Sequence, residues 1–173
     1  KESLYTLMKE TFKMTDDDFK AYSDDIGFDP VDLSDHPVQL APEHIEALKK
    51  IVGEQNVSTT DYDRLSVAYG FTAYDILRLR HKRVDSVPDV VLYPETTGQV
   101  EQIVAYSTEH HIPLYVYGGG SSVTRGVEPV KGGISLDMRR NFNKVISFNE
   151  IDQTITVQAG MSGPDLEKTL QSA

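Results

Sequence analysis

The chain has 173 residues, 39% of them hydrophobic and 25% charged, with 17 Lys+Arg against 27 Asp+Glu and a formal charge of -10. That is enough apolar chain for one folded domain, or one domain with an appendage, and it rules out disorder. The acidic balance argues against nucleic acid or an anionic membrane as the main partner, and the absence of cysteine excludes a disulfide scaffold, a thiolate zinc site and a thiol nucleophile within the chain.

From the N-terminus, Leu4, Leu7, Met8 and Phe12 fall on one stripe of a helix over 2–13, at the spacing of an amphipathic face. Thr15 with Asp16, Asp17 and Asp18 supplies a cap and an acidic first turn for a short second helix carrying Phe19 and Tyr22. Residues 26–41 hold Pro30 and Pro37 and read as loop. Pro42 then opens a helix with Ile45, Leu48, Ile51 and Val52, and Gly53 stops it.

Near Asp85 to Pro88 the pattern changes. Val90 to Tyr93 reads as a buried strand, and Thr96 to Gln99 as a capping box before a helix with Val100, Ile103, Val104 and Ser107 on one face. Pro113 to Tyr117 is a second strand, so strand, crossover helix and strand predict a βαβ unit with a parallel pair. Strands follow at Gly133–Asp137, Lys144–Phe148 and Thr154–Val157, the last two as a hairpin. Ser162 to Asp165 opens a final helix with Leu166 and Leu170 facing inward. The expected fold is α+β: a helical region over 1–84, then an α+β unit over 85–173. No stretch approaches the roughly 20 apolar residues of a membrane-spanning helix, and no signal-peptide pattern is seen, so the cytoplasm is the expected location. Both ends read as cut, so the chain is expected to be a fragment.

The stretch that carries chemistry is Val116-Tyr117-Gly118-Gly119-Gly120-Ser121-Ser122-Val123. Three glycines after a strand let the backbone turn tightly and come close to a ligand. Successive free N–H groups in such a turn form a concave anion site, and two hydroxyls add donors. A diphosphate needs that set of fixed donors with no side chain in the way. The Rossmann fingerprint fails, because Val123 stands where its last Gly belongs and no helix follows. The Walker triplet is absent. A plain glycine-rich turn stays an equal alternative on the loop alone.

Pro88-Asp89-Val90-Val91-Leu92-Tyr93-Pro94, the Val100/Ile103-Val104 helix, Ile112-Pro113, the Gly-Gly-Gly-Ser-Ser-Val loop, Gly133-Ile134-Ser135-Leu136-Asp137 and Val157-Gln158-Ala159-Gly160 occur in one order. That order resembles the first half of the FAD-binding (PCMH-type) domain of the FAD-linked oxidases, the vanillyl-alcohol-oxidase superfamily, over about residues 60–173. Arg64, Ala68, Gly70, Asp75 to Arg80 and Ala159 to Glu167 are similar to its alkyldihydroxyacetonephosphate synthase branch. Tyr117 stands where many 2-hydroxy-acid oxidases of the superfamily carry Arg.

The resemblance implies that Gly118, Gly119, Gly120, Ser121 and Ser122 wrap the FAD diphosphate, with Val116, Tyr117 and Val123 flanking it and Gly160 near the cofactor. Gly120 stands where some covalently flavinylated members carry His, which, with no cysteine, implies non-covalent FAD. The catalytic side chains and the substrate cap lie in the part of the family that follows, so no catalytic residue and no metal ligand is assigned here. In the whole enzyme a small-molecule substrate is implied, an acyl-dihydroxyacetone phosphate exchanging acyl for alkyl without net oxidation. Two alternatives stay open: a 2-hydroxy-acid oxidoreductase of the D-lactate or glycolate type, and a non-catalytic half-domain that homodimerises through an unfinished sheet edge.

Other signals read as ordinary surface. Arg78, Arg80, His81, Lys82 and Arg83 suit a solvated helix end. His110-His111 lacks a partner at metal spacing. The Asp16–Asp18 and Asp24–Asp25 carboxylates lack calcium-loop spacing, and Asn56-Val57-Ser58 is a chance sequon.

Overall fold

The computed structural model describes residues 2–20 and 31–172, and the chain divides into two compact units, Lys1–Pro30 and Val31–Ala173. In the first, α1 (Glu2–Phe12) is followed by α2 (Asp16–Lys20). Thr15 and Asp18 cap α2 reciprocally: the Thr15 N–H donates to Asp18 Oδ2 at 2.6 Å, and the Asp18 N–H reaches Thr15 Oγ1 at 3.4 Å. Tyr5 meets Phe19 edge-on at 4.7 Å between ring centroids. The apolar stripe of α1 forms, but Leu4, Leu7 and Phe12 on it are exposed. Tyr22 and the loop over 26–30 lie outside the described residues.

In the second unit, α3 (Pro42–Val52) starts on Pro42, where the missing N–H would have had no helical partner. It ends at Gly53, whose φ of 89° takes the chain out of the helix while its N–H still donates to Lys49 O. A 3-10 turn at Glu54–Asn56 leads to β1 (Val57–Ser58), α4 (Asp61–Ser66) and α5 (Ala73–Arg80). These three elements are too short for a periodic signal. A full capping box sits on α5, where the Thr72 and Asp75 side chains each accept from the other's N–H at 3.1 Å. The box expected at Thr96 is only half present. Thr96 Oγ1 accepts from the Gln99 N–H, but Gln99 Oε1 turns back to the Glu95 N–H.

Next come β2 (Val90–Leu92), α6 (Thr97–Glu109), β3 (Leu114–Tyr117) and β4 (Ile134–Asp137). The sheet order is β1-β2-β4-β3, with β1 antiparallel and the other three parallel. The expected direct pairing of β2 with β3 is therefore corrected: β4 inserts between them, pairing Val90 and Leu114 alike with Ile134. A parallel crossover fixes direction but not adjacency.

Both faces of this sheet are buried. Val90, Leu92, Ile134 and Leu136 pack against Leu48 and Val52 of α3 and Ile103 of α6, while Val91, Tyr93 and Tyr117 form the opposite face with Val67. The alternation follows the two-residue period of a strand. The hairpin β5 (Val145–Asn149) and β6 (Thr154–Val157) pairs only with itself and is largely exposed, and α7 (Gly163–Ser172) follows it. Leu170, expected inward, is exposed, and α7 has no buried residue.

Asn56 of the sequon is a buried hub. Its Nδ2 donates to Val52 O at 2.9 Å and Glu95 Oε1 at 3.0 Å, and its Oδ1 accepts from Asn141 Nδ2 at 3.1 Å. On the second face, burial, followed by the charges of Asp63 and Asp137, pushes the Tyr93 phenol up to about 12. The folded state thus holds this proton to higher pH than the unfolded chain, whose tyrosine titrates near 10. Between those values the unfolded state binds fewer protons, so the contribution is full below about pH 10 and is lost as pH rises toward 12. Urea unfolding at stepped pH is expected to show wild-type stability falling more steeply across that window than that of Tyr93→Phe.

Candidate functional site

The carboxyl ends of β2, β4 and β3 open at one edge of the sheet, the place where parallel sheets receive ligands. Tyr93, Met138 and Gly118 leave the strands there, and the Met138 N–H donates to Tyr117 O at 3.0 Å. The glycine loop leaves from β3 and runs, without a helix, to β4.

Strand alternation separates the two residues before the glycines. Val116 is exposed and Tyr117 is buried. The Tyr117 ring runs beneath the loop, its hydroxyl donates to Tyr69 O at 3.3 Å, and Arg139 lies over its face at 4.5 Å. Burial raises its phenol above the ordinary value. Gly120 rests on this ring with φ 69°, and a Cβ there would overlap the Tyr117 phenol. A Cβ on Gly118 would stand 3.3 Å from Ala159 O, whereas Gly119 has nothing within 4 Å of that position. The middle glycine therefore faces open space and the outer two are fixed by neighbours. Ser121 and Val123 are exposed, and Ser122 is half-buried.

Gly160 comes to the same edge through Ala159. Its N–H donates to Phe142 O at 2.8 Å, and a Cβ on it would overlap the Met138 carbonyl. The need for glycine here is a backbone-to-backbone approach.

Among the described residues, no protein acceptor takes an N–H from Gly118 through Thr124. Buried backbone N–H groups are ordinarily paired; of these residues Gly120 is buried, while Gly119, Ser121, Val123 and Thr124 are exposed and leave their donors open to a ligand. An unpaired run in a turn suits a group that brings its own oxygens. The residues present therefore fit a diphosphate. By contrast, a cavity of about 380 Å³ bordering Tyr69, Gly70 and Tyr117 is lined almost entirely by carbon, from Tyr62, Leu65, Phe71 and Ile76 among others, and does not suit an anion.

The basic cluster is not uniformly a solvated helix end. Arg80, His81 and Arg83 are exposed, but the Arg78 side chain is buried. Its guanidinium pairs with Asp75 at 3.1 Å, with Asp85 at 3.2 Å and with Glu128, and it lies 3.7 Å from the Tyr69 ring centroid. Helix periodicity offers only Asp75, three residues earlier on α5; Asp85 and Glu128 come from loops beyond the helix, where no spacing points to them. Asp137 and Arg139 form a second pair missed in the sequence, with two bonds of 2.9 and 2.6 Å. The Asp-x-Arg spacing at a strand end is the only local signal for it. His110 and His111 are exposed, as the sequence suggested, and the His110 ring lies tilted at 4.2 Å from Tyr106 and 5.1 Å from His44.

A parallel sheet with a glycine nest at its carboxyl edge defines a domain that binds a phosphate-bearing cofactor. Residues 88–173 match the family model described as an FAD binding domain and belong to that family. Among relatives, the alkyldihydroxyacetonephosphate synthase of Dictyostelium discoideum is 30% identical over 137 residues, covering 78% of this chain and 22% of that protein. The mitochondrial D-lactate dehydrogenase [cytochrome] 1 of Saccharomyces cerevisiae is 28% identical over 144 residues, covering 82% and 24%. A solved alkyldihydroxyacetonephosphate synthase superimposes with a TM-score of 0.73 at 30% identity, covering 79% of this chain and 28% of that one. The chain thus spans about a quarter of the length of the relatives it matches. The mixed helix-and-sheet fold is that of the synthase's FAD-binding domain, and among the described residues no helix is long and apolar enough to cross a membrane.

Proposed function

We propose that the chain holds the diphosphate of non-covalent FAD on the N–H groups of Gly118, Gly119, Gly120, Ser121 and Ser122, with Val116 and Val123 at the rim and Tyr117 as the floor. The observation that carries this reading is the run of loop amides without a protein acceptor beside the open face of Gly119. Hydrogen bonds to a charged group contribute roughly 1.5–3 kcal/mol each, and exposed charges are screened beyond about 8 Å at physiological salt. A few fixed donors therefore outweigh a diffuse acidic surface. Gly160 serves the site by bringing Ala159 against Gly118 rather than by touching the cofactor.

The whole protein is read as a flavoenzyme of the synthase branch, with a small-molecule substrate. FAD when bound supplies the reactive ring, and this chain supplies anchoring and orientation. The likeness to a D-lactate dehydrogenase supports a second reading, a 2-hydroxy-acid oxidoreductase. Titrating FAD against the chain is expected to quench flavin fluorescence to a saturable end point, and acid precipitation is expected to leave all the flavin in the supernatant. Absence of saturation sinks the cofactor reading, and flavin in the pellet sinks the non-covalent one. With the full-length protein, dye reduction driven by D-lactate favours the oxidoreductase over the synthase.

A further inference from the structure

We propose that Arg78 and Glu128 are positioning residues for the glycine loop: this buried pair, with the exposed Arg125, forms an ion clamp that holds its outgoing limb in the anion-binding shape. The proposal rests on reading the loop as the FAD diphosphate site.

The loop has almost no hydrogen bonds of its own. Within Gly118–Gly126 the structure gives one, from the Gly126 N–H to Ser122 Oγ at 3.0 Å. Its shape must be imposed from outside, and three contacts do so. The Tyr117 hydroxyl donates to Tyr69 O at the incoming limb. The Ser122 carbonyl lies so close to the Gly70 Cα that a Cβ on Gly70 would overlap it. At the outgoing limb Arg125 is held in the left-handed region at φ 65°, which an L residue adopts only when its surroundings enforce it. Glu128 closes this turn twice: its N–H donates to Arg125 O at 3.1 Å, and its Oε2 accepts from Arg125 Nε at 2.9 Å and lies 2.7 Å from its Nη2.

Glu128 is buried, and its other oxygen pairs with the buried Arg78 guanidinium. Arg78 is in turn fixed by Asp75 within the α5 capping box, by Asp85 and by the Tyr69 ring. The chain of contacts therefore runs from the first turn of α5 to the far end of the loop. Tyr69 and Gly70, just before that helix, seat the rest of the loop. One rigid element thus holds both limbs, and the amides of Gly118 to Thr124 are left between them without protein acceptors. Fixed donors bind a charged group without reorganising, whereas mobile ones must first be ordered. Arg78 and Glu128 touch no cofactor in this scheme and act through Arg125.

The test uses the full 173-residue chain as wild type, Glu128→Gln, Arg78→Lys and Arg125→Gln. For each, three quantities are read: the melting temperature, the amide order parameters of Gly119 to Thr124 by nitrogen-15 relaxation, and the FAD dissociation constant by fluorescence quenching. Arg125 is exposed, so Arg125→Gln folds even if the buried substitutions do not. The expected result is a fall of the loop order parameters from about 0.85 toward 0.6 and a roughly tenfold weaker affinity in Arg125→Gln and Glu128→Gln. Arg78→Lys, which keeps the charge but loses the fork, falls between these and wild type. A purely structural role lowers the melting temperature without this local change. Folded variants with wild-type order parameters and wild-type affinity overturn the clamp while leaving the cofactor reading standing. A loop that loosens in a chain with no affinity for FAD supports the clamp and removes the cofactor reading instead.

Discussion

Replacing Gly120 by alanine is expected to cost about 2–4 kcal/mol of stability and to abolish flavin binding, whereas Gly119→Val leaves the fold intact and weakens flavin binding at least tenfold. Gly120 sits at φ 69°, where an L residue costs roughly 1–2 kcal/mol. The added methyl also runs into the Tyr117 phenol, which cannot yield freely, because the ring is buried and its hydroxyl is bound to Tyr69 O. Overpacking of that kind adds typically 1–3 kcal/mol. Gly119 meets none of these limits: its φ is not positive and no atom lies within 4 Å of the Cβ position. A side chain there changes only the space above the amides, the space assigned to the diphosphate. Thermal unfolding and FAD titration of both variants separate the two roles. If Gly119→Val is as stable as wild type and binds FAD as tightly, the loop is not the cradle.

That contrast marks what could be read from the sequence. The three glycines were visible as one motif, but the different reason for each was not, since the reasons lie in Ala159, open space and Tyr117. Strands β2 to β6 and helices α3, α6 and α7 carry apolar spacing or caps of their own and were legible in the sequence. The position of β4 between β2 and β3 was not, because strand order is decided by which faces bury together in three dimensions. Arg78 misled for a related reason. In sequence it stands with Arg80 and Arg83 in one basic run, yet it is buried against Tyr69 and paired with carboxylates 7 and 50 residues further along the chain. Charge in sequence says little about burial until the partners are known.

The same lesson applies to Asp89, for which Asp89→Ala is expected to destabilise the chain by about 3–5 kcal/mol. Asp89 was legible only as part of the Pro88-to-Pro94 run, and its chemistry comes from folding. The buried carboxylate accepts from the Gln39 N–H and the Gly133 N–H, both at 2.6 Å, while its own N–H donates to Gly133 O at 2.8 Å. It also offsets, with Asp61, the burial that lowers the pKa of the Arg64 guanidinium, which donates to Pro88 O and His36 O at 2.7 Å. Removing the carboxylate leaves two N–H groups without acceptors, at roughly 1–3 kcal/mol each when buried, and leaves Arg64 less compensated. Asp89→Asn is expected to lose less, about 1–3 kcal/mol, because one amide oxygen still accepts while the NH2 group faces an N–H. Urea unfolding of the pair gives both numbers. A loss below about 1 kcal/mol for Asp89→Ala rejects the account. Gly133 leads into β4, and the far end of β4 carries the Met138 carbonyl on which Gly160 rests. A loosened Asp89 should therefore weaken flavin affinity from the opposite end of the central strand, in proportion to the stability lost.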